Sequence, residues 1–185
     1  MSKRIDQIIV VDVESTCWEG ASPVGQESEI IEIGVCPLDI ASGQRLGRYS
    51  MLVRPERSTV SPFCTRLTTL TQEQVDSGIS FTEACAWLED TFASRQRVWA
   101  SFGDYDRRQF ERLCASHGIN SPFGTRHLNV KTLFAIWQAL SSEVDLDQAL
   151  QLSHLSFEGT HHRGNDDAWN IAFLLSRLVL QLRST

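Results

Sequence analysis

The sequence predicts an α/β or α+β protein in which helices cover the faces of one β-sheet, and three observations support this prediction. The first is the near-continuous β-branched run Gln7–Glu14, which is typical of a strand with both faces covered. The second is that further strand patterns follow early in the chain. The third is a strong amphipathic helix pattern from about Asp166 to Arg183, which closes the chain. This order of elements is typical of a sheet flanked by helices.

The remaining elements follow from periodicity and capping signals. The further strand patterns are Glu29–Asp39, Leu46–Val53 and Val98–Phe102. The helical patterns are Tyr105–Ser116, Lys131–Leu140 and Leu146–Leu152, and two more helices begin at the capping boxes Thr71-x-x-Gln74 and Ser80-x-x-Glu83. The segment Gly20–Ser28 lacks periodicity and is predicted to be a loop. Because there is no repeat, linker or low-complexity tract, we expect a single domain over residues 1–185.

Composition and charge exclude several classes of protein. The apolar fraction of 42% and the charged fraction of 22% are ordinary for a soluble globular protein. The five cysteines are widely spaced and form no CxxC pair, which argues against a disulfide framework or a zinc knuckle. No apolar run is long enough to span a membrane. We therefore expect a soluble, cytoplasmic protein with no membrane partner.

The formal net charge of −6 has the wrong sign for a protein that coats nucleic acid electrostatically. Attraction to a nucleic acid would therefore have to be local, and bound divalent metals could supply it by inverting the field at an acidic site.

Two acids, Asp12 and Glu14, lie within the first strand pattern. Side chains alternate along a strand, so both carboxylates point to the same face. One interpretation is that the strand ends here and both acids face water. The other is that a hard cation such as Mg²⁺ bridges them. These two residues alone leave both interpretations open.

Two helix starts favour the second interpretation. Asp167 lies four residues before Ile171, in line with the apolar stripe of the last helix, and Asp106 lies four residues before Phe110 in the same relation to its own helix. Their neighbours Asp166 and Asp104 fall on mixed faces, where they are better explained as a first-turn acid and an N-cap residue. Four acids are thus predicted to converge on one point.

His162 precedes Asp167 by five residues, in a predicted loop. A lone histidine in a loop is usually solvated. Beside a carboxylate metal site, however, it is a candidate general base, because its ordinary pKa of about 6.5 suits chemistry at neutral pH.

Three ordered motifs carry a family resemblance. The segment 11–20, VDVESTCWEG, resembles the first motif of DEDDh exonucleases, in particular the Eri-type (enhanced RNA interference) branch. The segment 102–106, FGDYD, is similar to the second motif, with Tyr105 where Eri proteins often have tryptophan. The segment 162–167, HRGNDD, has the His-x4-Asp spacing of the third. The resemblance covers almost the whole chain.

This resemblance implies a ribonuclease-H-like fold, with a mixed five-stranded sheet whose first three strands are antiparallel. It implies two Mg²⁺ ions, for which Mn²⁺ can substitute, held by Asp12, Glu14, Asp106 and Asp167. His162 would deprotonate the water that attacks the terminal phosphodiester at a 3′ end, which releases nucleoside 5′-monophosphates. The residues implied to bind the terminal nucleotide are Ser15, Thr16 and Leu67. Trp18 either stacks on a base or is structural.

The implied partners are the 3′ ends of RNA or single-stranded DNA, and the resemblance does not choose between them. The alternative is a nucleic-acid-binding or scaffold protein that has kept the fold and lost the reaction. The intact set of acids argues against it, because clustered carboxylates destabilise a fold that binds no cation.

Overall fold

The computed structural model describes residues 3–183, so the first two and last two residues of the predicted domain lie outside the described part. Residues 3–183 contain one five-stranded sheet in the order β3-β2-β1-β4-β5. Its strands are β1 (Gln7–Ser15), β2 (Ile30–Asp39), β3 (Tyr49–Leu52), β4 (Val98–Ser101) and β5 (His127–Asn129). The pairs β1–β2 and β2–β3 are antiparallel, whereas β1–β4 and β4–β5 are parallel. The predicted mixed sheet is therefore confirmed.

Helices cover both faces of this sheet. In the described part they are α1 (Pro62–Thr68), α2 (Gln72–Asp76), α3 (Phe81–Phe92), α4 (Tyr105–His117), α5 (Val130–Trp137), α6 (Leu146–Leu152) and α7 (Gly164–Gln181). Both predicted capping boxes are formed, at the starts of α2 and α3. Among residues 3–183, no helix is long and apolar enough to cross a membrane.

Strand β1 is apolar throughout because it contributes to two cores. Its odd-numbered residues, such as Ile9 and Val11, pack in the core that contains α3 and α4. Its even-numbered residues, Ile8 and Val10, pack in the core that contains α5, α6 and α7. Asp12 and Glu14 continue the even-numbered face, so their carboxylates are directed to the side of the sheet that α7 covers.

Some predicted bounds were wrong, and two elements were missed. The strand predicted over Leu46–Val53 is regular only from Tyr49 to Leu52, although Leu46 and Val53 each donate one backbone hydrogen bond to β2. The helix predicted over Lys131–Leu140 ends at Trp137. The short elements β5 and α1 were not predicted, because three and seven residues are too few to show a periodicity. The start of α1 does have a local signal in the sequence, because its N-cap residue Ser61 is followed by a proline.

The prediction that Asp104 caps α4 with its side chain was wrong. Asp104 stands at the N-cap position, but its backbone has the helical φ of −104° and ψ of −1° and its carboxylate makes no capping hydrogen bond. An N-cap side chain usually reaches the helix amides from an extended backbone. The carboxylate of Asp104 instead accepts a hydrogen bond from Arg107 Nη2 at 3.2 Å.

The start of α7 lies directly against the middle of β2. A Cβ atom added at Gly34 would stand 1.8 Å from the carbonyl carbon of Gly164. A Cβ atom added at Gly164 would stand 2.9 Å from the backbone nitrogen of Gly34 and 3.0 Å from the carbonyl oxygen of Asp12. This contact between backbones leaves no room for a side chain, and it brings the first turn of α7 next to the acids of β1.

The substitution Gly34→Ala should destabilise the protein by more than about 3 kcal/mol, the usual upper limit for an added methyl group in a core. The added atom would meet backbone, which cannot rotate away. The control is Gly118→Ala at the end of α4, where nothing lies within 4 Å and φ is +65°. That variant should lose only about 1–2 kcal/mol, the cost of a left-handed backbone. Thermal melts of the two variants provide the comparison, and a Gly34→Ala protein as stable as Gly118→Ala would contradict the close contact.

Candidate active site

A cavity of about 500 Å³ opens where the end of β1 meets the first turns of α4 and α7. All five residues that the sequence analysis assigned to catalysis line it: Asp12, Glu14, Asp106, His162 and Asp167. They come from three kinds of position. Two acids stand at the end of a buried strand, two in first helical turns, and the histidine in the loop before α7. The structure therefore brings together what the sequence separates by up to 155 positions, from Asp12 to Asp167.

Three of the acids are close enough to hold one ion. Asp12, Glu14 and Asp167 each offer a carboxylate oxygen, and these oxygens lie within 4.8 Å of one another. Asp106 is not part of this group, although it lines the same cavity and is 3% exposed. Its Oδ1 accepts a hydrogen bond from the backbone N–H of Val13 at 2.9 Å, which fixes the carboxylate beside β1.

Burial disfavours the ionised form of the four predicted metal ligands, and repulsion between carboxylates adds to this at Asp12 and Glu14. Burial, followed by the charge of Asp167, raises the pKa of Glu14 to about 8. Burial likewise raises the pKa of Asp167 to about 7 and that of Asp106 to about 6, where the Val13 hydrogen bond opposes it. The pKa of Asp12 is raised well above its ordinary value by burial and by the other three acids. This donor set consists of hard oxygen ligands with excess negative charge, so it fits a divalent cation.

His162 lies at the edge of this cavity with an exposed side chain and a left-handed backbone, φ +58°. Burial lowers its pKa from the ordinary value, and the neighbouring ring of His161 lowers it further. A lowered pKa keeps the imidazole neutral near pH 7, which is the form that can accept a proton.

His161 also lines the cavity, which the sequence analysis did not predict. Its ring stacks on Phe157 with centroids 3.6 Å apart, and its Nε2 lies 2.9 Å from Asp147 Oδ1. Its Nδ1 lies 3.8 Å from Asp167 Oδ1. Because the ring is held on one face and at one nitrogen, His161 is less free than His162 to receive a proton from water.

Of the four residues predicted to contact the terminal nucleotide, two line the cavity and two do not. Ser15 and Leu67 line the cavity, and among residues 3–183 the buried hydroxyl of Ser15 has no hydrogen-bond partner. The side chain of Thr16 is instead fully buried behind the wall, where its hydroxyl bonds to Ser58 Oγ and accepts from the Glu29 N–H, both at 2.9 Å. Trp18 is half-buried and does not line the cavity.

Several lining residues were missed by the sequence analysis. They are Phe102 and Tyr105, together with Asp145, Leu146 and Asp147 at the start of α6. Tyr105 is 52% exposed, and its place in the second motif was a usable signal. No comparable signal marks residues 145–147, whose position depends on how α6 packs against α7.

Comparison with known proteins agrees with this geometry. The model of the RNase T family, described as exonuclease, matches residues 9–175. The chain is 28% identical to the 3′-5′ exonuclease Snipper of Drosophila melanogaster, over 93% of this chain and 69% of that protein. It is also 28% identical to the 3′-5′ exoribonuclease 1 of Rattus norvegicus, over 94% of this chain and 53% of that protein. The chain thus spans little more than half of the rat protein.

Among solved structures, the chain is similar to the nuclease domain of 3′hExo, a DEDDh family member, bound to rAMP. The two share 26% identity with a TM-score of 0.87, over 98% of this chain and 95% of the other. The resemblance stated from the three motifs and the predicted ribonuclease-H-like fold are confirmed. Members of this family depend on divalent metal ions, in agreement with the carboxylate cluster. The chain belongs to the exonuclease family.

Proposed function

We propose that this chain is a single-domain 3′→5′ exonuclease that removes nucleoside 5′-monophosphates from the 3′ ends of single-stranded RNA. The observation that carries the proposal is the group of three carboxylates within 4.8 Å of one another, in a cavity that also contains Asp106 and His162. This set of residues supports metal-assisted hydrolysis of a phosphodiester.

The residues of the site have separate roles in this reaction. Asp12, Glu14, Asp106 and Asp167 would hold two Mg²⁺ ions, or Mn²⁺ in their place. Such ions, when bound, stabilise the attacking and leaving oxygens of an in-line displacement. His162, neutral near pH 7, accepts the proton of the attacking water at a ring nitrogen. The hydrogen bond from Val13 keeps the carboxylate of Asp106 turned towards the cavity.

The walls of the cavity suit the end of a flexible strand. Ser15 offers an unpaired hydroxyl and Leu67 an apolar surface that is 37% exposed. Phe102 and Tyr105 also line the cavity and provide aromatic rings, on which any base can stack. Thr16 supports the Ser15 wall from behind through Ser58 and Glu29. Trp18 stands outside the cavity lining, so we assign it a structural role.

RNA is favoured over DNA by the relatives, since the rat protein is named an exoribonuclease and the nuclease domain of 3′hExo holds a ribonucleotide. The experiment that tests the function is digestion of matched single-stranded RNA and DNA labelled at the 3′ nucleotide, with Mg²⁺ and with Mn²⁺. Release of labelled 5′-monophosphate that EDTA abolishes is expected, faster from RNA. An inactive scaffold protein would release no label in any of these reactions.

The acids of the cavity should make the metal-free protein less stable as the pH rises. Glu14 has a pKa of about 8 in the folded protein against an ordinary 4.5. Its protonated form therefore contributes stability below about pH 4.5 that is lost as the pH rises towards 8. In EDTA, the melting temperature should be higher at pH 5 than at pH 8, and Glu14→Gln should reduce this difference. Each lost kcal/mol is worth about 2–4 °C in a protein of this size. Mg²⁺ at pH 8 should restore the melting temperature of the wild type.

Glu14→Gln and Asp12→Asn should each abolish nuclease activity and leave the fold intact. Substantial Mg²⁺-dependent release by the Asp12→Asn protein would contradict the assignment of the ligands.

His162→Ala should lower turnover by about 10²–10⁴, the usual contribution of a positioned general base. The adjacent His161→Ala is the matched control, and it should keep most activity although its ring also lines the cavity. Single-turnover release of the 3′ nucleotide, measured with saturating Mg²⁺, compares the two variants. An equal or larger loss in His161→Ala would assign the base to His161.

Asp106→Asn should eliminate measurable turnover without unfolding the protein, because it removes a charged ligand from a dicationic site. The control is Asp104→Ala, two residues earlier in the same helix. Its carboxylate makes no cap and forms only a partly exposed pair with Arg107, worth about 0–1 kcal/mol. That variant should therefore melt within a few degrees of the wild type and remain active. An active Asp106→Asn enzyme beside an inactive, folded Asp104→Ala enzyme would reverse the two roles.

A further inference from the structure

A fully buried carboxylate outside the cavity lining, that of Glu32 in the middle of β2, has four hydrogen-bond donors. Ser50 Oγ donates to it at 2.6 Å from β3. Arg163 donates from Nε at 3.1 Å and from Nη2 at 3.0 Å, in a two-bond contact. The backbone N–H of Gly164 donates at 3.0 Å. Glu32 is 0% exposed, so this carboxylate is enclosed and its oxygens are engaged by protein donors.

Three of these four donors belong to Arg163 and Gly164, the two residues that directly follow His162 in the chain. Arg163 is the N-cap residue of α7, and it makes no side-chain cap of its own. Glu32 therefore supplies from a neighbouring strand the acceptor that a helix N-terminus requires, and it binds the side chain of the N-cap residue as well. The chain is fixed at the residue after His162 and at the next one.

The backbone of His162 shows why such anchoring matters. Its φ of +58° lies in the left-handed region, which non-glycine residues adopt at a cost in free energy. A strained conformation of this kind persists where the surrounding structure holds it. The side chain itself is exposed, so its direction depends on the backbone on either side of it.

We propose that Glu32 is a positioning residue for His162, acting through Arg163 and the Gly164 N–H to aim the imidazole into the cavity. This inference rests on the proposed function, in which His162 is the general base. Glu32 is not one of the three acids whose oxygens cluster, and it does not line the cavity. Glu32 also stands opposite Glu14 in the β1–β2 register, and its charge helps to raise the pKa of that carboxyl. That direct effect does not depend on His162, whereas an effect through the anchored segment does.

Glu32→Gln keeps the size of the side chain and removes the charge that holds Arg163. We expect kcat for 3′-nucleotide release to fall by about 10–100-fold, as is usual when a partner behind an active-site residue is removed. KM should change by less than about two-fold, since nothing that faces the substrate is altered. In a His162→Ala background, Glu32→Gln should cause no further loss, because residues that act as a unit are not additive.

The matched control is Asp6→Asn, which removes a carboxylate from a similar two-bond arginine pair. Arg97 donates to Asp6 from Nε at 2.9 Å and from Nη2 at 2.8 Å, at the opposite end of β1. That variant should keep the wild-type kcat. A second measurement is amide hydrogen exchange over residues 161–166, which should become faster in Glu32→Gln and remain unchanged in Asp6→Asn.

The double variant Glu32→Gln/Arg163→Met leaves neither charge buried alone, so it keeps the test available where the single variant does not fold. It should show the same loss in kcat and the same dependence on His162. An unchanged kcat in folded Glu32 variants, or an equal loss with and without His162, would overturn the positioning role. Wild-type protein that releases no nucleotide would instead refute the proposed function, so the two failures are distinguishable.

Discussion

The backbones of β2 and α7 meet at Gly34 and Gly164 with no side chain between them, and the geometry of the cavity depends on this contact. A Cβ atom at Gly34 would stand 1.8 Å from the carbonyl carbon of Gly164, closer than any non-bonded approach allows. The first turn of α7 can therefore lie against the sheet, three residues before Asp167. If a larger residue separated the two elements, Asp167 would move away from Asp12 and Glu14. The ion-binding group of three carboxylates would then be lost although every ligand remained in the sequence.

This close packing holds together acids that repel one another. Burial raises the pKa of Glu14, Asp106 and Asp167 to about 8, 6 and 7, and each of these shifts is a cost in stability at neutral pH. The two apolar cores on either side of β1 supply the free energy that offsets this cost. A cation that binds the folded state removes the repulsion and adds its own binding free energy. With cations bound, the same acids would let an acidic protein attract a polyanion, since the attraction would be confined to the cavity.

Much of the site could be predicted from the sequence because helical phase carries spatial information. Asp166 and Asp167 are adjacent, yet only Asp167 continues the apolar stripe of α7, and it alone of the two is grouped with Asp12 and Glu14. Asp166 instead accepts from Arg48 Nη1 at 2.8 Å and from the Thr160 N–H at 2.9 Å, away from the cavity. Helical periodicity did not reveal that the carboxylate of Asp104 pairs with Arg107. An N-cap position determines where the backbone lies, but it does not determine which group the side chain contacts. The long-range contacts also left no local pattern, so the place of residues 145–147 in the cavity lining was missed.

Periodicity has no meaning in the loop before α7, and there the two histidines could be separated only by the spacing of a family motif. The structure adds a physical distinction between them. His161 is held by the stacked ring of Phe157 and by Asp147, so its position is set by side-chain contacts. Within residues 3–183, the ring of His162 has no carboxylate partner, and its centroid lies 6.3 Å from that of His161. Its left-handed backbone is followed at once by the residues that Glu32 anchors. A side chain that must take up and release a proton benefits from free ring nitrogens and a fixed backbone, and His162 meets both conditions.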